Sequence, residues 1–319
     1  MPQIQSKIKF TIVLIFLFIQ TIGYTQRVST PPPPTDSLLI YEKDKTFEFG
    51  SEVTQINRSG RKSVKRISQP KLLVYLPSHK ISGKAPAIII CPGGGYAQLM
   101  IDDEGAAIAK KLNKAGIVCF VFKYSTSVKG SLKNPKLPLL ELQQAITQVR
   151  NSYNKWQIDT NKVGLMGFSA GGHLAALGSV KAKLPQIPSN TNTRPNFSIL
   201  IYPIISFMDS LTSNRSKTRI NLLGQQPTAS EKIWFSPELQ VTPTTPPTFI
   251  VHAENDSTAL VQNSLVYLQQ LIKHNIPAKA IIYEKGGHGF GIINQAENES
   301  WYQDLIKWLQ LNHFLPQKL

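Results

Sequence analysis

Residues 163–173 read Val163-Gly164-Leu165-Met166-Gly167-Phe168-Ser169-Ala170-Gly171-Gly172-His173, a short apolar run that ends on Gly-x-Ser-x-Gly. Six such residues before the serine are the pattern of a buried strand. The stretch behind it, 170–180, is rich in Ala and Leu and predicts a helix. Its first three residues, Ala170, Gly171 and Gly172, are small enough to pack closely. Strand, tight turn and helix in that order lift a serine hydroxyl out of a sheet, beside backbone N–H donors at the helix start. The flanking glycines suit a strained turn that neighbouring chains approach closely. Alone, the five-residue pattern arises by chance in about one chain in ten of this size. Its meaning therefore rests on what surrounds it, the plain alternative being a structural serine in a glycine-rich turn.

Outward from this point, apolar runs alternate with helical patterns. Strands are predicted at 72–76, 87–91, 117–122, 163–168, 197–202, 247–252 and 278–283. Helices are predicted at 104–115, 139–153, 261–274 and 301–311. A strand-then-helix rhythm of this kind implies an α/β fold, with a mostly parallel central sheet and helices on both faces. No internal repeat interrupts it. The segment 209–245, rich in Ser, Thr, Pro and Asn, reads as an insertion, and insertions of that length commonly form lids or substrate walls.

At 319 residues, 41% hydrophobic and 17% charged, the chain has the composition of a globular protein with room for a large core. Its start departs from that average. Lys7 and Lys9 precede an apolar stretch from Phe10 to Ile19, followed by a polar zone with small Gly23. This is the layout of an export signal over residues 1–25, too short to span a bilayer comfortably. Secretion or periplasmic location is expected, without stable membrane insertion after cleavage. Residues 26–68, opening on Pro31–Pro34, read as a linker and amino-terminal extension, and 69–319 as one domain. Cys91 and Cys119, the two cysteines, fall in predicted strands and read as buried thiols. Neither has metal-ligand spacing, so no metal and no cofactor is expected.

The formal net charge is +16, with a cluster at Arg58, Arg61, Lys62, Lys65 and Arg66. Interleaved aromatic residues are missing from it, which argues against nucleic acid. A solvated basic face remains, with attraction to acidic polysaccharide or an anionic surface as its functional option.

A serine at such a turn needs a base, and the base needs an acid, in the order Ser, Asp or Glu, His on loops after later strands. His79 precedes Ser169, and His173 lies on the helix behind it. His252 ends a strand, where a core or supporting role is as natural. His274 and His313 lie in polar helical regions. His288, in the glycine-rich loop Glu284-Lys285-Gly286-Gly287-His288-Gly289-Phe290-Gly291 after the last predicted strand, meets both conditions. For the acid, Glu254 and Asp256 both sit in the loop after the 247–252 strand, with spacing in favour of Asp256. The N–H of Ala170 suits a developing oxyanion, and Pro92-Gly93-Gly94-Gly95-Tyr96 after the 87–91 strand suits a second donor. That run has neither a P-loop ending nor G-x-G-x-x-G spacing, so nucleotide binding is disfavoured.

Together the stretches CPGGGY (91–96), DEG (103–105), GFSAGGH (167–173), LLG (222–224), HAEND (252–256) and EKGGHGFG (284–291) resemble α/β-hydrolase-fold esterases. The resemblance is to the hemicellulose-deacetylating branch, close to acetyl xylan esterases and proteins labelled xylanase-like. It implies Ser169 as nucleophile, Asp256 rather than Glu254 as acid, His288 as base, and Gly94, Gly95 and Ala170 as oxyanion donors. It also places Tyr96 and Glu104 near substrate, Glu104 with a structural role as the alternative. Glu141 stands where the family has Asp, Ser125 and Thr126 replace an Arg-containing segment, and Ser257-Thr258-Ala259 lacks the usual Val-Pro. The implied activity is a serine esterase acting on an acylated carbohydrate, acetylated or feruloylated. The alternatives are another carboxylesterase, a prolyl-oligopeptidase-like peptidase, and a silent fold member serving as a binding module.

Overall fold

The computed structural model describes residues 31–41, 51–67, 69–79, 81, 83–127, 132–181, 183–188, 190, 192–213 and 216–316. The export signal expected over 1–25 lies outside the described residues. In chain order the strands are β1 (Asp36–Leu39), β2 (Val53–Ile56), β3 (Lys62–Lys65), β4 (Lys71–Tyr75), β5 (Ala85–Cys91), β6 (Val118–Lys123), β7 (Ile158–Phe168), β8 (Phe197–Ile201), β9 (Thr248–Ala253) and β10 (Ala278–Tyr283). The helices are α1 (Ala107–Asn113), led in by a π-helical turn at Asp102–Ala106, α2 (Leu137–Asn151), α3 (Tyr153–Trp156), α4 (Ala170–Val180), α5 (Thr218–Leu223), α6 (Ala229–Trp234), α7 (Gln262–Lys273) and α8 (Tyr302–Leu311).

The main sheet has the order β1-β4-β6-β5-β7-β8-β9-β10. Strands β6 to β10, with β5, run parallel, while β1 and β4 pair antiparallel at one edge. Every residue of β5, β6, β8 and β9 is buried, so both faces of the sheet are covered. That is why these strands read as unbroken apolar runs rather than as alternating ones. After β5 the chain winds outward to β6, then returns to β7 on the other side of β5. The crevice beyond the carboxyl ends of β5 and β7 is thus the point where the winding reverses, the usual ligand position in such sheets.

β7 begins earlier than the apolar run predicts. Its pairing with β5 breaks between Ala85 and Ala87, where Pro86 has no N–H to give, and the polar residues 159–162 fill the irregular stretch. The amino-terminal extension is also more than a linker. β1 covers the edge of β4 through Asp36↔Val74 to Leu39↔Lys71, and β2 and β3 form a hairpin bridged to the sheet layer by Val64↔Leu99. Lys123, buried on β6, holds the hairpin with a 2.6 Å ion pair to Glu52. The insertion folds as the short helices α5 and α6 with two 3-10 turns.

Cys91 and Cys119 are free and buried. Cys119 pairs with Ile88, three residues along β5 from Cys91. At about 3.3 Å per residue this offset alone is roughly 10 Å, beyond the ~7 Å Cα separation that a disulfide tolerates.

Candidate active site

Ser169 closes β7 and opens α4 with φ +51° and ψ −117°, a conformation that a side chain rarely adopts. The surroundings force it. A Cβ on Gly167 would strike the Gly171 carbonyl, and one on Gly171 would strike the Cys91 carbonyl. The turn is then fixed by main-chain bonds: Ser169 N–H donates to Ile201, and its carbonyl accepts from His173 and Ile204. The hydroxyl points at the crevice although the residue is 8% exposed.

The loops after β9 and β10 bring in the other two groups. Ser169 Oγ lies 2.8 Å from His288 Nε2, and His288 Nδ1 lies 2.7 Å from Asp256 Oδ2. A carboxylate accepts from Nδ1–H, which leaves Nε2 as the acceptor for the serine proton. Burial opposes ionisation of Asp256, but hydrogen bonds from His252 and His288, the charge of His288 and the Ala259 N–H hold its carboxyl well below the usual range. Its Oδ1 accepts from the N–H groups of Thr258 and Ala259 at 2.8 and 2.9 Å. The second of these is a donor that a proline could not supply. His252 has the supporting role: its Nε2–H donates to the Ala259 carbonyl at 2.7 Å and lies 3.3 Å from Asp256. Glu254 takes no part in this relay.

On the other side of Ser169, the loop after β5 turns its amides inward. Glu104, buried in the π-helical turn, accepts from Gly93 N–H at 2.7 Å and from the Tyr202 hydroxyl at 3.0 Å. That commits Gly93 and leaves the N–H groups of Gly94 and Gly95 without a protein acceptor among the described residues. Ala170, at the first position of α4, has no intrahelical acceptor either. Burial pushes the Glu104 carboxyl up, while the Gly93 and Tyr202 hydrogen bonds and the His288 charge oppose the shift. The Tyr202 ring also stands edge-on to His288, 5.1 Å between centroids.

Tyr96 is not beside the cavity. It is fully buried, and its hydroxyl donates to Nδ1 of His173 at 2.9 Å, while His173 Nε2–H donates to the Phe235 carbonyl at 2.8 Å. Burial lowers the His173 imidazole to about 4, against the Phe235 hydrogen bond, so the ring is neutral. This one side chain joins the glycine loop, α4 and the insertion. The resemblance placed Tyr96 near substrate; in the fold its backbone has φ +58° and its side chain is buried away from the cavity.

The two departures at 125 and 141 prove to be one feature. Glu141 on α2, fully buried, accepts from the Ser125 hydroxyl and from its N–H. Two residues on, Ser127 N–H donates to the Tyr96 carbonyl at 2.7 Å, so the pair braces the glycine loop from behind.

Gly94, Gly95, Met100, Asp103, Glu104, Ser169 and His288 share a cavity of about 400 Å³ with Ser216, Lys217, Thr218 and Asn221 of the insertion. The insertion is tied to it by Asn221 Nδ2, which donates to the Gly95 carbonyl at 2.7 Å. A recess of similar size near Arg194, Thr244 and Pro277 lies at the amino ends of β8 to β10, and among the described residues no serine, histidine or carboxylate lines it. Among the described residues no group of three His, Cys, Asp or Glu side chains could hold a metal, and no helix is long and apolar enough to cross a membrane.

The sheet order, the strained serine between β7 and α4, and the loops that carry Asp256 and His288 define an α/β hydrolase. The chain belongs to the family described as BD-FAE, whose model matches residues 72–271. Against an acetylxylan esterase of Xylanibacter ruminicola it is 35% identical over 245 residues, 75% of this chain and 48% of that protein. Against an endo-1,4-beta-xylanase B of Butyrivibrio fibrisolvens it is 32% identical over 238 residues, 73% of this chain and 36% of the relative. It thus spans between about a third and a half of the length of these curated relatives. An acetyl ester-xyloside bifunctional hydrolase from Caldicellulosiruptor lactoaceticus superposes with a TM-score of 0.72 at 28% identity, covering 89% of this chain and 98% of that one. The esterase resemblance carried by the motifs and the α/β expectation both agree with these findings.

Proposed function

We propose that the protein is a serine carboxylic ester hydrolase that removes acetyl groups from plant-type polysaccharides or their oligosaccharides. The observation that carries this reading is the unbroken relay from Ser169 to His288 to Asp256, facing a cavity of about 400 Å³. In this mechanism the Ser169 hydroxyl adds to the ester carbonyl carbon as His288 Nε2 takes its proton. The oxyanion accepts hydrogen bonds from Gly94, Gly95 and Ala170. Collapse breaks the bond to the sugar oxygen, which leaves with the proton from His288. Water, deprotonated by the same imidazole, then releases acetate and restores Ser169.

Ser216, Lys217, Thr218 and Asn221 of the insertion add hydrogen-bonding side chains to the cavity wall, which suits a carbohydrate alcohol. The names of the acetylxylan esterase and the bifunctional hydrolase support that choice. Glycoside cleavage is not part of the reading: Asp103 and Glu104 are consecutive, one paired with Arg61 and the other with Gly93 and Tyr202. The amino-terminal charge and apolar pattern support export as part of the same proposal. Replacing Ser169→Ala should lower turnover of 4-nitrophenyl acetate by at least about 10³-fold. Wild-type rates in that variant would refute the assignment, and acetate release from a panel of acetylated xylans and mannans would place the polysaccharide.

A further inference from the structure

We propose that the mouth of this cavity receives an acidic glycan, a polysaccharide with uronic-acid carboxylates, between Lys65 on the β2–β3 hairpin and Lys217 on the insertion. The proposal rests on the esterase reading and names its substrate class. It starts from register. Val64 and Leu99 exchange both main-chain bonds, at 2.9 and 2.8 Å, as an antiparallel pair. Antiparallel pairing then sets Ser63 opposite Met100 and Lys65 opposite Gln98, with these side chains on one side of the ribbon. The hydrogen bond from Ser63 Oγ to Gln98 Oε1, 3.5 Å, agrees with that placement. Met100 lines the cavity, so this is the cavity side. Arg61, two residues before Ser63, shares it and reaches the cavity-lining Asp103 at 3.3 Å. Lys62 belongs with buried Val64 to the opposite side.

The basic cluster therefore divides. The Arg61 charge is matched by Asp103, whereas Lys65 has no acidic partner among the described residues. Across the cavity, exposed Lys217 lines the wall and likewise has none. Glu104, the other carboxyl there, is enclosed by Gly93 and Tyr202. Lys217 on the cavity wall and Lys65 on the ribbon side that carries Met100 are thus two cations without an acidic partner among the described residues, within a molecule of formal charge +16. A neutral sugar chain makes no use of this charge, while a polyanionic one is drawn to it and oriented by it. Among the described residues no Phe, Tyr or Trp lines the cavity to stack a nucleobase, which disfavours single-stranded nucleic acid.

The test is native gel electrophoresis of the Ser169→Ala protein through deacetylated glucuronoxylan, neutral arabinoxylan or duplex DNA. Retardation by glucuronoxylan alone is expected, weakened about 2–5-fold by Lys65→Gln and abolished by high salt, with Lys62→Gln as the opposite-side control that changes little. Equal retardation in arabinoxylan, retardation by DNA alone, or equal effects of Lys62→Gln and Lys65→Gln would overturn the proposal. The polymer carries no ester and the protein no nucleophile, so this outcome is independent of whether the esterase reading stands.

Discussion

A carboxyl group as enclosed as that of Glu141 is costly to ionise. Burial pushes it up to about 8, although the Ser125 hydroxyl and N–H favour the charged form. In the unfolded chain the same proton leaves near ~4.3. Between those values the folded state binds more protons than the unfolded one, so this residue makes stability fall as pH rises through the window. Glu141→Gln, which keeps the shape and cannot ionise, should gain on the wild type in melting temperature from about pH 5 to about pH 8. A margin that stays constant over that range would show that Glu141 is not the group responsible. The sequence flagged residues 125 and 141 as separate departures. Their partnership joins α2 to the loop after β6 across 16 residues, and only the folded chain brings it out. Chain order singled out Ser169 and His288 in the sequence; it left Glu254 and Asp256 both open, and the family resemblance chose Asp256. Tyr96 was misplaced because its motif shows where its backbone lies but not where its ring turns.

The regular elements were legible for a physical reason. Strands buried on both faces leave unbroken apolar runs, and the observed ends of β8 and β9 lie within a residue or so of those runs. The misses were β1, β2 and β3, four residues each and too short to show a period; β1 also depends on pairing with β4, more than thirty residues away. The π-helical turn was equally hidden, since it differs from an α-helix only in how one turn is wound. The insertion illustrates the limit of composition: polar residues suggested a wall, but not that Asn221 would clasp the Gly95 carbonyl. Asn221→Ala should lower kcat/KM for 4-nitrophenyl acetate about 3–10-fold, the loss expected from one net hydrogen bond. An unchanged value would mean that the glycine loop holds its shape without α5.

Considered as a whole, the molecule closes one sheet edge with its own amino-terminal extension. Removing residues 31–41 would take away β1 and leave the polar groups of β4 unpaired along that edge, an invitation to association between copies. We expect the shortened protein to melt at lower temperature and to form soluble aggregates, measured by calorimetry and light scattering. Unaltered melting and a monodisperse profile would show that β4 tolerates exposure. The placement of the two thiols has a further result. They lie too far apart along neighbouring strands to join, and burial pushes both up, away from the reactive thiolate. The chain can therefore mature without an oxidant or an isomerase, and reach the same fold on either side of a membrane.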